Sequence, residues 1–175
     1  MTISGERLSN WIEEVTERSS ELMRTFEDRF RYEPGDNFLV RASSEREAGV
    51  IQGLSTLGAP DALCDFYAQI ETVSLPDVGN GLFVHPAEDL LDDAEAGQPT
   101  RVVGAINDGI IVFASDGGGG LFAISRSNGK VYRLEGGSLV GTVYDVDDSG
   151  CTEMAHNFSG FLEYVRQELL QAVPR

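Results

Sequence analysis

Basic residues, histidine and cysteine are scarce in this chain. Its 175 residues hold 13 Lys and Arg against 29 Asp and Glu, giving a net charge of −16 at pH 7, with only two His and two Cys. This excess of negative charge repels phosphate, which argues against a general binder of nucleic acid or of an anionic membrane. Two cysteines are too few for the disulfide framework of a small secreted scaffold.

Long apolar segments are also missing. The longest uncharged apolar stretch, residues 109–115, is too short to cross a bilayer. Residues 1–7 contain no basic cluster, and no apolar stretch follows them, so they do not resemble a signal peptide. Hydrophobic residues nevertheless make up 41% of the chain, which is enough to bury a core. We therefore expect a cytoplasmic, reduced, soluble globular protein.

The first part of the chain has the pattern of a long amphipathic helix. Residues 6–30 place apolar side chains near the helical period, and Pro34-Gly35 ends the segment. The apolar stripe consists of Leu8, Trp11, Ile12, Val15, Leu22, Met23, Phe26 and Phe30. Two interpretations remain open: the stripe packs on the body of the same chain, or it is a surface for self-association.

Three further helices are predicted from start and stop signals. Ser44 and Glu47 have the spacing of a capping box, and Gly58 is placed to end the helix that they begin. Pro60 suits the first turn of the next helix. A final amphipathic helix is expected over residues 152–172.

The middle of the chain has the pattern of β-hairpins. Strands are predicted at residues 73–76, 82–84, 102–106, 110–114, 121–125 and 130–134, with a further one at 139–146; a short helix over 85–91 follows the second. Turns at residues 107–109 and 127–129 contain the Asn and Gly that tolerate positive φ. The fold class is therefore α+β, with a central, mostly antiparallel sheet of about five to six strands flanked by N-terminal and C-terminal helices. We expect an N-terminal helical extension, residues 1–36, and an α+β domain, residues 37–175, in a single globular unit.

Two familiar site motifs each lack a required residue. Residues 117–120 are four glycines, but a strand-like run follows where a phosphate loop needs Lys and then Ser or Thr. Residues 145–150 resemble the first half of a calcium loop, but His156 stands where a bidentate carboxylate is required. We therefore interpret these motifs as a permissive strand connection and an acidic turn.

The chain offers few groups for catalysis or metal binding. His85 and His156 are the only imidazole bases, and with Cys64 and Cys151 they are the only soft metal ligands. No Gly-x-Ser-x-Gly elbow and no Cys-x-x-Cys pair is present. We therefore predict no catalytic residue, no metal site and no cofactor.

Negative charge is concentrated in two segments. Residues 47–100 contain ten acids and residues 134–165 contain six, and neither segment contains Lys or Arg. Two interpretations remain open: a solvated acidic surface, or a patch that steers a basic protein onto this one. The candidate protein-binding residues are Asp92, Asp93, Glu95, Asp145, Asp147 and Asp148.

The order of short motifs resembles the SUKH superfamily, which includes bacterial toxin-immunity proteins and a yeast regulator of cell-wall synthesis. The matching pieces are residues 50–51, 57–61, 81–90, 110–113, 116–117, 122–124, 130–132 and 155–162. The resemblance covers about residues 45 to 170, and the first forty residues have no counterpart.

This resemblance implies a non-catalytic protein that binds and neutralises a toxin domain. Some such toxins are nucleases, and an acidic inhibitor can imitate the phosphate that a basic nuclease binds. The alternative is a housekeeping regulatory or scaffold protein of the same family, dimeric through the first helix. The expected partner is a protein, a basic toxin domain or a second copy, with neither nucleic acid nor membrane involved.

Overall fold

The computed structural model describes residues 2–92 and 97–173, with the backbone alone at residues 46 and 47. Its helices are α1 (Gly5–Phe30), α2 (Ser44–Leu57), α3 (Asp61–Gln69), α4 (Ala87–Leu91) and α5 (Phe158–Ala172). The strands are β1 (Phe38–Arg41), β2 (Ile70–Leu75), β3 (Leu82–Val84), β4 (Arg101–Gly104), β5 (Asp108–Asp116), β6 (Leu121–Ser125), β7 (Val131–Leu134), β8 (Ser138–Val140), β9 (Val143–Val146) and β10 (Cys151–Ala155). A 3₁₀ turn, Asp148–Gly150, joins β9 to β10.

The ten strands form one continuous sheet with a branch at β5. The main part runs β1-β2-β3-β5-β6-β7-β10 with antiparallel neighbours, and the branch runs β5-β4-β9-β8. Only the β4–β9 pair among these described strands is parallel. The predicted α+β class and mostly antiparallel sheet are confirmed, but the expectation of five to six strands is too low. One reason is that the segment predicted as a single strand, 139–146, turns at Gly141 with φ 63° and forms both β8 and β9.

The central strands are buried on both faces, which divides the apolar side chains into two cores. Ile111 and Phe113 of β5 face the main core, beneath α1, α3 and α5, whereas Ile110 and Val112 face a second, smaller core. The second core consists of Val102, Ile110, Val112, Ala123, Tyr132, Leu134, Tyr144 and Val146. The β4-β9-β8 branch therefore curls over the face of the sheet that the helices leave uncovered.

Helix α1 packs against α5 and contributes most of its apolar stripe to the main core. The Trp11 indole N–H donates a hydrogen bond of 2.8 Å to the Leu162 carbonyl, and the Trp11 ring meets Phe66 edge to face. The stripe is buried as far as Phe26, and Phe30 at the end of the helix is exposed. Of the two interpretations of the stripe, packing on the same chain is therefore the one observed.

The predicted start of the last helix is wrong by six residues. Residues 151–155 form β10, which pairs with β7 in the register Cys151↔Leu134. The helix begins at Phe158, where the Asn157 side chain accepts a hydrogen bond of 2.9 Å from the Gly160 N–H. Met154 fits the helical period by coincidence; it lies within β10 at an irregularity between the paired residues Glu153 and Ala155.

Turn and cap signals were otherwise informative. Gly58 ends α2 in the left-handed conformation, and the turn at Asn128-Gly129 joins β6 to β7 as predicted. The predicted N-cap, Ser44, is wrong by one residue. The observed N-cap is Ser43, and its side chain makes no capping hydrogen bond. Glu47, the other member of the predicted box, has its side chain outside the described part. None of the helices given above combines the length and the hydropathy of a membrane-spanning segment.

Candidate protein-binding site

The β4-β9-β8 branch has one buried and one solvent-facing side. Residues that pair across neighbouring strands share a face, and β9 pairs Val143 with Val140 and Asp145 with Ser138. Its other neighbour, β4, pairs Arg101 with Val143 and Val103 with Asp145. The outer face of this branch therefore carries Arg101, Val103, Ser138, Val140, Val143 and Asp145, while Val102, Tyr144 and Val146 are buried beneath it. We call this surface the outer face.

The edge of the outer face exposes aliphatic side chains. Within the described residues β8 pairs only with β9, so its other edge is open. Val140 is 75% exposed and Leu139 is 45% exposed. Exposed apolar side chains on an open strand edge are a feature that soluble proteins usually avoid unless the edge contacts a partner.

Three acids lie at the end of β9: Asp145 is within the strand, on the outer face, and Asp147 and Asp148 follow directly after it. Asp145 and Asp148 are exposed, and no described hydrogen bond or ion pair engages either carboxylate. Asp147 instead caps the 3₁₀ turn: its carboxylate accepts hydrogen bonds from the Ser149 N–H at 3.0 Å and the Gly150 N–H at 3.3 Å, and from the Ser149 hydroxyl. The Ser149 hydroxyl, followed by the two backbone amides, lowers the pKa of Asp147, so this carboxylate stays ionised to lower pH.

The structure brings together three of the six predicted binding residues. Asp145, Asp147 and Asp148 lie in one segment, at the end of β9 and the start of the 3₁₀ turn. Asp92 is exposed at the C-terminal end of α4, a helix that packs against α2 and β5 rather than on the branch. Asp93 and Glu95 lie outside the described residues.

A cavity of about 320 Å³ lies close to the acidic turn. We call it the α5 cavity, because Tyr164 and Glu168 of α5 form one wall; its other lining residues are Val78, Gly79, Asn80, Gly81, Leu82, Asp116, Phe122 and Arg133. Two contacts link it to the turn: Arg133 Nη1 lies 2.8 Å from Glu135 Oε2, and the Glu135 N–H donates to the Gly150 carbonyl at 2.9 Å.

Two polar side chains of the α5 cavity, Arg133 and Asp116, form an ion pair. Arg133 donates to the Asp116 carboxylate from Nε at 3.0 Å and from Nη2 at 2.7 Å, and Asp116 also accepts from the Gly118 and Gly120 amides at 2.9 and 2.8 Å. Burial by itself would raise the pKa of Asp116, but the hydrogen bonds from Arg133, Gly120 and Gly118 outweigh it and lower the pKa. Sequence reasoning missed this cavity because its residues come from four separate stretches of the chain.

A second exposed apolar region lies at the opposite end of the sheet. Its exposed members are Phe30 at the end of α1, Tyr32 just after this helix, and Phe38 and Val40 on the edge strand β1. Tyr32 is 61% exposed and packs edge to face on Phe26, with ring centroids 5.2 Å apart. We call these four residues the aromatic patch. Unlike the outer face, the patch lies in a charge-balanced segment, since residues 24–41 hold four Arg and four acids.

The nearest approach to an acid–base site is a His–Ser pair. His85 Nε2 lies 2.8 Å from Ser115 Oγ, and burial lowers the pKa of His85. Asp89 influences His85 only through its charge, and no carboxylate among the described residues hydrogen-bonds to the imidazole. A nucleophile and a base are therefore adjacent, without the orienting third group that a triad requires. Across residues 2–92 and 97–173 no cluster of three His, Cys, Asp or Glu is arranged to hold a metal ion.

Comparison with known proteins adds no identity to this geometry: no protein-family model matches the chain, and no curated protein matches it significantly.

Proposed function

We propose that this protein is a non-catalytic binding domain of the immunity type, which binds a basic toxin domain in the cytoplasm and blocks it. The observation that carries the proposal is the outer face, where the exposed Val140 of β8 shares a surface with Asp145 of β9, and Asp147 and Asp148 follow in the turn after β9. The SUKH-like order of motifs agrees with this proposal.

The two kinds of side chain on the outer face serve different parts of binding. Burial of Val140 against a partner gives affinity, because apolar area leaves water. Leu139 pairs with the buried Tyr144, so it lies on the other side of β8 and adds to the exposed strand edge rather than to the outer face. Acidic side chains contribute mainly to the association rate, because they attract a positively charged partner before contact. Of the six acids in residues 134–165, Glu135, Glu153 and Glu163 pair with Arg133, Lys130 and Arg166, and no described ion pair engages Asp145, Asp147 or Asp148. Arg101 also lies on the outer face, where one base stands against these three aspartates.

A basic nuclease is the partner class that this charge distribution fits best. Such an enzyme has a positive surface that binds phosphate, and a row of carboxylates at the end of β9 can occupy that surface in place of the nucleic acid. A net charge of −16 strengthens the attraction at long range.

The proposal is tested by capture of partners from a lysate of the source organism, using three forms of the tagged protein. The wild type is compared with Asp145→Asn/Asp148→Asn, which removes two exposed acids, and with Glu33→Gln/Asp36→Asn, which removes two exposed acids near the aromatic patch. Asp147 is left unchanged because it caps the 3₁₀ turn.

We expect the wild type and the Glu33/Asp36 variant to recover the same basic protein at low salt, and to lose it as salt rises. The Asp145/Asp148 variant should recover less of it. Recovered protein must also lose its toxic or nuclease activity when mixed with the wild type. Recovery of a basic protein whose activity is unchanged, or equal recovery by all three forms, would contradict the proposal.

The alternative function is a regulatory or scaffold protein that acts as a dimer, and the aromatic patch favours it. A twofold axis beside Leu39 would pair the β1 strands of two copies and place Phe38 of each opposite Val40 of the other, an aromatic and β-branched pair. The charge balance of residues 24–41 limits the repulsion between two copies of an acidic chain in this region. Sedimentation equilibrium separates the alternatives: a dimer that Phe38→Ser dissociates supports the scaffold, and a monomer excludes it.

A further inference from the structure

The charged groups of the α5 cavity leave a net negative charge. Asp116 and Glu168 contribute two carboxylates against the single guanidinium of Arg133. Each nitrogen of that guanidinium already has a carboxylate partner, since Nε and Nη2 donate to Asp116 and Nη1 pairs with Glu135. An anion that entered the cavity would find no free guanidinium nitrogen and would meet two carboxylates.

The carboxylate of Glu168 has no such partner. Within the part of the chain that the structure describes, no hydrogen bond or ion pair engages the Glu168 side chain. It lies against the β2–β3 turn, where a Cβ added to Gly79 would be only 3.1 Å from Glu168 Oε2. A half-buried carboxylate that lacks a partner is a site for a positively charged or hydrogen-bond-donating group.

The hydroxyl of Tyr164 is the second unpaired polar group in this wall. No described residue forms a hydrogen bond with it. Burial raises the pKa of Tyr164, and the negative charge of Glu168 raises it further. The hydroxyl therefore stays protonated in neutral solution, and its oxygen remains available as an acceptor beside the Glu168 carboxylate.

The remaining walls suit the stem of a long basic side chain. Val78 and Leu82 are apolar and buried, and the rings of Phe122 and Tyr164 lie with centroids 6.1 Å apart. Apolar walls accept the methylene groups of Lys or Arg, and aromatic faces attract their charged ends. The cavity volume, about 320 Å³, is large enough for one such side chain.

We propose that the α5 cavity binds a lysine or arginine side chain, with Glu168 as the charge partner and the Tyr164 hydroxyl as a second acceptor. That the side chain belongs to a protein partner rests on the proposed function. The Arg133–Glu135–Gly150 contacts connect the wall of the cavity to the acidic turn, and in this proposal one partner contacts both. The outer face then sets the encounter rate, and the cavity selects a partner with a basic side chain at the matching position.

The cavity is tested without any partner by an NMR titration of the isolated protein. The probes are the N-acetyl, N-methylamide derivatives of arginine and lysine, with the same derivative of norleucine as the uncharged control. We expect weak, millimolar binding of the basic probes, with shift changes at Gly79, Gly81 and Tyr164. Norleucine should bind at least about fivefold more weakly, because it cannot pair with Glu168.

Two variants that preserve shape identify the groups responsible. Glu168→Gln should weaken the basic probes by about fivefold or more and leave norleucine unchanged, and Tyr164→Phe should have a smaller effect in the same direction. Glu163→Gln, on the same helix but outside the cavity, is the matched control.

Equal binding of all three probes, no shift at the cavity, or unchanged binding by Glu168→Gln would overturn the inference. Those results leave the outer face untouched, whereas failure to recover a basic protein in the capture experiment would contradict the proposed function and leave the probe result standing.

Discussion

The two ends of the sheet both expose apolar side chains on an open strand edge, but their charges differ. The aromatic patch beside β1 lies in a segment with four Arg and four acids. Residues 134–165, which include β8 and β9, hold six acids and no base; three of the acids pair with Lys130, Arg133 and Arg166, and no described base pairs with Asp145, Asp147 or Asp148. Apolar exposure alone therefore does not distinguish the two ends, and charge does. A charge-balanced patch suits a second copy of an acidic chain, while an acidic face suits a basic partner.

The two ends of the sheet also pack on different hydrophobic cores. The β1 end is held by α1 and the main core, since Leu39 and Phe26 both pack there. The β8 end rests on the second core of eight buried residues. The proposed binding surface is therefore carried by the smaller of the two cores, and changes under it should affect binding first.

The largest effect is expected at Gly104, the last residue of β4, where the backbone of β9 lies close by. Gly104 has φ +98°, and a Cβ there would lie 2.2 Å from the Val146 carbonyl oxygen. Gly104→Ala should lower the free energy of unfolding by at least about 2 kcal/mol and abolish partner binding. Gly58→Ala is the control, because Gly58 also has a positive φ, +82°, but a Cβ added there would have no atom within 4 Å. We expect Gly58→Ala to lower the free energy of unfolding by about 1 kcal/mol. Urea unfolding measures both, and equal losses would contradict the comparison.

The next effect concerns acid stability at the α5 cavity, which lies between the two ends. The side chain of Asp116 is only 7% exposed, and its pKa is lowered in the folded protein. The stability it contributes is therefore present above the ordinary value of 3.8 and is lost as the pH falls through the lower folded value. Asp116→Asn should cost about 1–2 kcal/mol at pH 7 and make stability fall less steeply below pH 4.

Urea unfolding at pH 7 and pH 3 measures this change, with the exposed Asp36→Asn as the matched control. An acid slope for Asp116→Asn that equals that of the wild type would show that this ion pair does not stabilise the folded protein.

Association kinetics sharpen the contrast in charge. With the captured partner, Asp145→Asn/Asp148→Asn should slow association by about tenfold at low salt and flatten its dependence on salt. Glu33→Gln/Asp36→Asn makes the same change in charge at the other end and should alter the rate far less. Stopped-flow mixing gives both rates, and similar slowing by the two variants would mean that only total charge matters.

The smallest effect is expected at the exposed edge itself. Because Val140 contacts mainly solvent, Val140→Ser should change stability by less than about 0.5 kcal/mol. It should raise the dissociation constant of the partner by about fivefold through faster dissociation, since less apolar area is buried. Val40→Ser on β1 is the matched control. An equal loss of affinity in this variant would contradict a partner that binds at the β8 end.

Local chemistry made part of the fold predictable from sequence. The Asn128-Gly129 turn, the stop at Gly58 and the strand over residues 121–125 all depend on neighbouring residues, and each is observed as predicted. Strand β10 was missed because it pairs with β7, which is distant in sequence. Met154 also fits the helical period of the segment that follows, which favoured a helix. Strand β1 was missed because its four residues are too few to establish an alternation.

The candidate sites were predictable to a smaller degree. Charge counting found Asp145, Asp147 and Asp148, but could not show that Asp147 is a structural cap or that Val140 shares a face with Asp145. The second core was concealed by the continuous apolar run in β5, whose alternate residues face opposite sides. The α5 cavity has no local signal, because Asp116, Arg133 and Glu168 meet only in the folded chain.

Hydrogen–deuterium exchange of the protein, with and without its captured partner, tests the central claim most directly. The account predicts that the partner protects the amides of residues 138–150 and leaves those of residues 38–41 unchanged. Protection confined to residues 38–41, with residues 138–150 exchanging as in the free protein, would contradict it and assign the binding surface to the aromatic patch.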